Sequence, residues 1–326
     1  MIFLTGSTGT VGSAILRMLV ARGDQVKALV RDLNQVDSLF DDIKEKVVWV
    51  EGDILDVSAL NQQMSGIKTV IHTAALVSFN PKDRHRLLQV NVEGTANVVN
   101  AAVVNGVAEF CHLSSVAALG RGKTSVIDES TKWENSSYNS AYAGSKYLAE
   151  IEVWRGQEEG LKVLLLNPSV ILGGNDWSKS SAKLFKFGYE HTRFYTEGSF
   201  NYVDLRDVVT KTIGLLDQKV FGQRVILNGG EVSFKEFFSK VAQAYGLKPP
   251  AIKVNKGIIY LVYQFERLRS FFTGSNPLVT RETAMPKSTK YEYDNSKSLK
   301  LIPKPYYSLD DSIQHVCSVF VDKYRL

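Results

Sequence analysis

A short apolar strand leads directly into a glycine-rich turn in the sequence Ile2-Phe3-Leu4-Thr5-Gly6-Ser7-Thr8-Gly9-Thr10-Val11-Gly12. A helical pattern follows, with one apolar face formed by Ala14, Ile15, Met18 and Leu19. The first glycine permits a tight exit from the strand, the second lets the backbone approach a pyrophosphate, and the third lets the helix pack on the strand. The free N–H groups at the start of such a helix favour an anion. The stretch therefore predicts a strand, turn and helix that bind phosphate groups.

Short β-branched or aliphatic runs alternate with helical patterns through the first half of the chain. These runs are Ile2 to Thr5, Val26 to Val30, Val47 to Val50, Thr69 to Thr73, Phe110 to Leu113 and Val163 to Asn167. Continuous apolar runs are typical of strands that are buried on both faces of a parallel sheet. The pattern predicts an α/β fold of the Rossmann type, a doubly wound parallel sheet with helices on both faces.

Composition excludes several classes of protein. The 39 basic and 34 acidic residues are spread along the chain, so no basic stripe of the kind that binds nucleic acid is expected. Cys111 and Cys317 are the two cysteines, which favours a reducing, cytoplasmic compartment over a disulfide framework. The first residues already read as a strand, so no secretory signal is expected. No apolar run reaches the roughly 20 residues of a spanning helix, and the segment Ile258 to Val262 predicts an amphipathic helix.

A second motif, Tyr142-Ala143-Gly144-Ser145-Lys146, begins another helical pattern. The spacing of four places Tyr142 and Lys146 on one helix face. A phenol ordinarily loses its proton at about pH 10, and an adjacent cation favours the phenolate. By itself this spacing also fits an exposed helix face, but its position after a glycine turn and five strands favours proton chemistry.

Together these motifs resemble the short-chain dehydrogenase/reductase superfamily, and the glycine spacing of residues 6–12 resembles its extended branch, the epimerase/dehydratase family. The stretches Asn91-Val92-Glu93-Gly94-Thr95 and Asn167-Pro168-Ser169-Val170-Ile171-Leu172-Gly173 resemble further marks of that family. The resemblance covers most of residues 1–230, and within the branch it is strongest to dihydroflavonol reductases and 3β-hydroxysteroid dehydrogenases. It implies an NAD(P)-dependent enzyme.

The resemblance also implies where the cofactor lies. The implied contacts are Gly6, Thr8, Gly9, Thr10, Val11, Gly12, Arg31, Asp53, Ile54, Thr73, Ala74, Ala75, Tyr142, Lys146, Pro168 and Ser169. The choice between cofactors depends on the end of the second strand, where Arg31 precedes Asp32. Arg31 fits the 2′-phosphate of NADP, whereas Asp32 fits the ribose hydroxyl of NAD. We predict NADP, with NAD as the open alternative.

The resemblance gives the residues of the predicted reaction their roles. The serine five residues before Gly120 is Ser115, which would polarise the substrate oxygen, although Ser114 and Ser115 also fit a simple strand end. Tyr142 would transfer the proton and Lys146 would bind the ribose while a hydride passes to or from a ketone, aldehyde or secondary alcohol. One alternative is a nucleotide-sugar epimerase with the same triad and tightly bound NAD(P). Another is a non-catalytic NADP-binding sensor or scaffold.

After Pro168 the regular alternation breaks. We expect residues 1–168 to form the NAD(P)-binding domain, with 203–228 returning to it, and residues 169–202 and 229–326 to form a smaller, interleaved substrate lobe. The aromatic side chains of that lobe, including those at 260–272, fit either a substrate pocket or the lobe's own core. The candidate substrate contacts are Ser78, Phe79, Ser115, Asn167, Phe187 and Tyr202.

The expected partner is a small-molecule substrate. The five histidines are scattered without ligand spacing, so no metal site is predicted. By analogy with the family, a homodimer would form through two helices, expected over Asp83 to Asn105 and Ala141 to Glu159.

Overall fold

The computed structural model describes residues 1–120, 126–134, 139–174, 176–177, 181–190, 193–254 and 291–326. The predicted amphipathic helix at Ile258 to Val262 and the aromatic residues at 260–272 lie outside these ranges. Within these ranges, none of the helices combines the length and the apolar character needed to cross a membrane.

The strands, numbered in chain order, are β1 (Ile2–Thr5), β2 (Val26–Val30), β3 (Val48–Glu51), β4 (Thr69–His72), β5 (Glu109–Leu113), β6 (Val126–Ile127), β7 (Lys162–Pro168), β8 (Val170–Leu172), β9 (Phe194–Tyr195), β10 (Ser199–Asp204), β11 (Gln223–Leu227), β12 (Gly230–Ser233), β13 (Ile252–Lys253) and β14 (Glu292–Tyr293). Seven of them form one parallel sheet in the order β11-β7-β5-β4-β1-β2-β3. The predicted doubly wound α/β fold is confirmed. The predicted third strand began at Val47, but the observed strand begins one residue later.

The helices are α1 (Thr10–Ala21), α2 (Asn34–Phe40), α3 (Val57–Gln63), α4 (Arg84–Leu87), α5 (Gly94–Val104), α6 (Ala141–Glu158), α7 (Ala182–Glu190), α8 (Leu205–Asp217), α9 (Phe234–Ala244), α10 (Ser296–Leu301) and α11 (Leu309–Tyr324). A π-helical turn, Leu88–Glu93, joins α4 to α5.

Two hydrophobic cores cover the two faces of the large sheet. Successive strand residues point to opposite faces, so Leu4 packs in the core with α1 and α8, and Phe3 packs in the core with α3, α5 and α6. Likewise on β5, Cys111 packs in the core with α1 and α8, and Phe110 packs in the core with α3, α5 and α6. Burial on both faces explains why these strands appear in the sequence as continuous apolar runs.

A second sheet, of strands β12, β10 and β8, lies in the C-terminal part of the chain. The aromatic residues beside it form a third core, which contains Trp177, Phe185, Tyr202, Phe237 and Phe320. For these residues the structure supports the core interpretation rather than the pocket. Strand β11 returns to the large sheet, where it pairs with β7. The bounds of the two lobes stay a prediction.

Candidate active site

The glycine turn lies between β1 and α1 and packs against the chain that follows β4. Gly6 has a φ of +71°, and a Cβ there would lie 2.6 Å from the backbone nitrogen of Ala74. A Cβ on Gly12 would lie 2.1 Å from the Gly6 carbonyl oxygen. Only glycine fits at these two positions, since each is filled by neighbouring backbone.

The start of α1 is open for an anion. Gly9 occupies the N-cap position, is exposed, and leaves α1 without a side-chain cap. Thr8 and Thr10 beside it are partly exposed. The uncapped N–H groups and the positive end of the helix dipole therefore face the surface at this turn. This arrangement fits the phosphates of a dinucleotide.

The other predicted cofactor contacts lie at the carboxyl ends of neighbouring strands. The hydroxyl of Thr73 donates to the carbonyl of Thr5 (2.8 Å), which holds the residues Thr73 to Ala75 beside the glycine turn. Asp53 accepts from the backbone of Leu55 (2.9 Å), so it shapes its own loop. Ile54 is buried and packs against Gly94. Parallel strands bind ligands at this edge.

Arg31 and Asp32 follow β2. The carboxylate of Asp32 accepts from the backbone and side-chain nitrogens of Asn34 (2.9 Å each), and these hydrogen bonds lower the pKa of Asp32. Asp32 is thereby engaged at the start of α2. Arg31 is exposed.

Ser115 and Tyr142 meet at the carboxyl end of β5. Helix α6 begins after Ser140, whose hydroxyl accepts from the backbone of Ala143 (2.9 Å), so Tyr142 lies in the first turn. Burial raises the pKa of Tyr142 to about 12, and a hydrogen bond with Ser115 opposes that rise. The sequence predicted that Lys146 would favour the phenolate. In this arrangement burial outweighs any such effect, and the phenol stays protonated near neutral pH.

Lys146 is buried one helical turn after Tyr142. Its ammonium group donates to the carbonyl oxygen of Leu113 (2.9 Å). Burial lowers the pKa of Lys146 to about 8, and the negative charge of Glu150 opposes this lowering. Lys146 therefore keeps a substantial ammonium fraction near neutral pH.

The loop after β4 forms one side of the site. The ring of Phe79 contacts the ring of Tyr142 edge to face, with centroids 5.8 Å apart, and Phe79 is 43% exposed. The hydroxyl of Ser78 donates to Asp83 (2.6 Å) and accepts from the backbone of Asn80 (3.1 Å). Ser78 shapes the loop, and Phe79 lies beside the phenol where a substrate would approach.

Asn91 connects that loop to α6. Its side chain accepts from the backbone nitrogen of Leu76 (2.7 Å) and donates to the carbonyl oxygen of Leu76 and to the hydroxyl of Ser145 (2.9 Å each). The hydroxyl of Ser145 donates in turn to the carbonyl oxygen of Tyr142 (2.8 Å). The buried amide of Asn91 thus links the loop at Leu76 to helix α6 at Ser145, and these two segments flank Tyr142.

The remaining candidates differ in exposure. Asn167 is fully buried, and Pro168 and Ser169 beside it are also buried, with Ser169 bonded through its backbone to Leu227 (3.0 Å). Tyr202 is 7% exposed in the third core, so packing accounts for its side chain. The ring of Phe187 packs on that core through Phe238, with centroids 5.3 Å apart, and remains 43% exposed.

Residues 3–194 match the 3-beta hydroxysteroid dehydrogenase/isomerase family. The chain belongs to this family. Membership confirms the predicted resemblance and the prediction of an NAD(P)-dependent enzyme of the extended short-chain dehydrogenase/reductase type.

Other proteins agree with the family assignment. A Synechocystis sp. protein that carries the name dihydroflavonol 4-reductase is 30% identical over 319 residues, which span 95% of this chain and 92% of the relative. The crystal structure of gox2253 superposes with a TM-score of 0.82 at 30% identity and covers 100% of this chain and 99% of its own. Gre2 of Candida albicans in complex with NADPH shares the fold, with a TM-score of 0.77, 21% identity and 99% of both chains covered.

Two charged residues of this family member were missed by sequence reasoning. Glu150, four residues after Lys146, is almost fully buried, and its carboxylate accepts from Asn167 and from Arg224 of β11 (2.6 Å each). Its spacing of four residues from Lys146 indicates, from the sequence alone, that Glu150 lies on the same face of the helix. Its partners come from β7 and β11, and no local pattern identifies them.

Proposed function

We propose that this protein is an NADP-dependent oxidoreductase that reduces a ketone or aldehyde of a small molecule, or oxidises the corresponding alcohol. The observation that carries the proposal is the contact between Ser115 and the phenol of Tyr142, one helical turn from the buried ammonium of Lys146. A carbonyl oxygen that accepts from both hydroxyl groups would be polarised and oriented at the same time.

The residues divide the work of a reduction. The bound nicotinamide supplies the hydride. Tyr142, protonated because burial raises its pKa to about 12, donates the proton to the carbonyl oxygen. Ser115 holds that oxygen, and the buried ammonium of Lys146, one helical turn away, supplies positive charge that favours the phenolate as it forms. The protonated phenol is the form that a reduction requires, whereas oxidation of the alcohol requires the phenolate.

NADP is favoured over NAD by the end of β2. Asp32 already accepts three hydrogen bonds at the start of α2, while the exposed Arg31 offers its guanidinium to a 2′-phosphate. The turn between β1 and α1 fits the pyrophosphate, because the spaces beside Gly6 and Gly12 admit no side chain and the start of α1 is uncapped.

The cofactor assignment is tested by titrating the protein with NADPH and with NADH while nicotinamide fluorescence is followed. We expect Gly9→Asp to abolish binding, because a carboxylate would stand where the phosphates bind. Arg31→Asp is expected to weaken NADPH by about tenfold or more, since a charge-assisted hydrogen bond contributes about 1.5 to 3 kcal/mol. Arg325→Asp, on the exposed last turn, is the control. An unchanged ratio of the two affinities in Arg31→Asp would remove the NADP assignment.

The chemistry is tested by a carbonyl screen with NADPH consumption as the signal. Tyr142→Phe should reduce kcat at least about 100-fold while NADPH still binds. Tyr147→Phe is the matched control on the same helix, because its ring stacks on Trp133 and loses only a hydroxyl. Full activity of Tyr142→Phe would contradict the proposal. A nicotinamide that stays bound through purification, together with no carbonyl turnover, would favour the epimerase instead.

We also propose the domain division and assembly that the sequence predicted. Pairing of β11 with β7 supports the return of residues 203–228 to the cofactor domain of residues 1–168. The third core supports a substrate lobe of residues 169–202 and 229–326. A homodimer through the segments Asp83 to Asn105 and Ala141 to Glu159 is proposed from the family analogy.

A further inference from the structure

We propose that Glu150 is a positioning residue of the active site, which orients Ser115 through Asn167 and supports the ammonium of Lys146. The inference rests on the proposed function, because it concerns the same Ser115, Tyr142 and Lys146. Glu150, Asn167 and the partly exposed Arg224 act on these three residues without contacting substrate.

Glu150 is a buried carboxylate. It lies on α6 one turn after Lys146, and its side chain is 1% exposed. Nδ2 of Asn167 donates to Oε1 and Nη2 of Arg224 donates to Oε2, each at 2.6 Å. A buried carboxylate is costly unless both oxygens are paired in this way. These two contacts hold a charged group at a defined position behind the active site.

Asn167 links Glu150 to Ser115. Nδ2 of Asn167 donates both to Oε1 of Glu150 and to the carbonyl oxygen of Ser115 (2.9 Å). Two acceptors on one side require the NH₂ group there, so the carboxylate fixes which way the amide faces. Ser115 has an extended backbone, and its hydroxyl accepts from the backbone of Ala117 (3.1 Å). The backbone of Ser115 is therefore held by a hydrogen bond from Asn167, whose amide Glu150 orients. This contact fixes the position of the Ser115 hydroxyl beside Tyr142.

Glu150 also influences the charge of Lys146. The titratable groups that interact with its charge are Glu150 on α6, His72 on β4 and His112 on β5, and Tyr142 lies one helical turn before it. Burial lowers the pKa of His72 to about 3 and lowers that of His112 as well, so both rings are neutral at neutral pH. Tyr142 is a neutral phenol there. Glu150 thus supplies the negative charge that favours the ammonium of Lys146 against burial.

Glu150→Gln tests this role through the pH dependence of kcat/KM. Gln keeps the size and the hydrogen bond to Asn167 but removes the charge. We expect the alkaline limb of the profile, where Lys146 loses its proton, to move to lower pH by about one unit. A nearby opposite charge shifts the pKa of a group by about one unit or more. At a pH above the alkaline limb of both the wild type and Glu150→Gln, this shift corresponds to a kcat/KM about tenfold lower in the variant. A residue that only stabilised the fold would lower activity without moving the limb.

Two further variants separate charge from position. Glu150→Asp keeps the charge but shortens the side chain, so kcat should fall through Ser115 while the alkaline limb stays close to that of the wild type. Glu152→Gln is the matched control, because this carboxylate on the same helix pairs with Arg155 at the surface, and its profile should not change. If Glu150→Gln does not fold, the double variant Glu150→Gln/Arg224→Gln removes both charges of the pair, and a smaller shift of the alkaline limb to lower pH is expected, because the loss of the Arg224 cation partly offsets the loss of the carboxylate.

The outcomes distinguish this inference from the proposed function. A loss of activity in Tyr142→Phe together with an unmoved limb in Glu150→Gln or the double variant would overturn the role of Glu150 alone. A limb that moves as far in Glu150→Asp as in Glu150→Gln would also overturn it. Carbonyl turnover that survives Tyr142→Phe would overturn the proposed function, and this inference with it.

Discussion

At the scale of single residues, His112 is a polar side chain placed in the centre of the sheet. It is almost fully buried on β5, and its ring stacks on that of His72 with centroids 5.1 Å apart. His72 contacts the hydroxyls of Thr5 (2.7 Å) and Thr95 (3.0 Å). Both ring nitrogens of His112 lack a hydrogen-bond partner among the described residues. Burial in the sheet therefore keeps the imidazoles of His72 and His112 neutral in the folded protein near neutral pH.

This burial predicts a loss of stability in acid. An unfolded imidazole takes up a proton at about pH 6.5, whereas in the folded chain burial lowers the pKa of His72 to about 3 and that of His112 in the same direction. The unfolded state thus binds more protons below about pH 6.5, so the free energy of unfolding falls as the pH falls. Each such group contributes up to about 1.4 kcal/mol per pH unit.

His112→Leu should reduce that dependence. Removal of one titrating group makes the free energy of unfolding fall less steeply between pH 6.5 and pH 5, by about 1 kcal/mol per pH unit. Urea unfolding at pH 5, 6.5 and 8 measures it. His85→Leu is the control, because its side chain is exposed. Equal pH slopes for His112→Leu and the wild type would show that His112 does not cause the acid loss.

At the scale of elements, the π-helical turn Leu88–Glu93 connects two segments around Tyr142. It carries Asn91 inward, where one amide bonds the loop at Leu76 and the helix at Ser145. π-Helical turns are rare in proteins, and many of those that occur lie at functional sites. The arrangement explains how a loop and a helix from separate parts of the chain keep a fixed distance.

Asn91→Ala should therefore affect both stability and activity. The truncation removes the partner of both backbone groups of Leu76, so we expect a loss of about 1 to 3 kcal/mol in the free energy of unfolding. We also expect kcat to fall by about tenfold because Tyr142 loses its support. Thermal unfolding and steady-state kinetics measure these two effects. Asn100→Ala, exposed on α5, should change neither, and a variant at Asn91 that matches it would contradict the positioning role.

At the scale of the whole molecule, α6 presents apolar side chains to water. Leu148 and Ile151 lie three residues apart on one side of the helix and are 39% and 43% exposed. This face lies on one of the two helices of the proposed homodimer.

We predict a dimeric mass by light scattering, and a monomeric mass for the double variant Leu148→Glu/Ile151→Glu, because buried carboxylates without partners oppose association. Val57→Glu, which places one carboxylate on an exposed position of α3, is the control for added negative charge. A monomeric mass for the wild type would remove the dimer.

Sequence reasoning predicted most of the fold because the signals were local. The sheet strands matched the apolar runs to within about one residue at most ends, since burial on both faces leaves a continuous apolar pattern. Tyr142 and Lys146 could be named because a helix brings residues four apart together. The aromatic residues of the C-terminal part left two interpretations open, because composition does not show which side chains point inward.

By itself, the sequence determined the strand, turn and helix at residues 2–21, the parallel sheet, and the spacing of Tyr142 from Lys146. These depend on backbone sterics and on periodicity within one element. The tertiary structure alone decided that Glu150 meets Asn167 and Arg224, that burial raises the pKa of Tyr142, and that Tyr202 packs in a core. Desolvation and contacts between distant segments exist only once the chain has folded, so no local pattern can encode them.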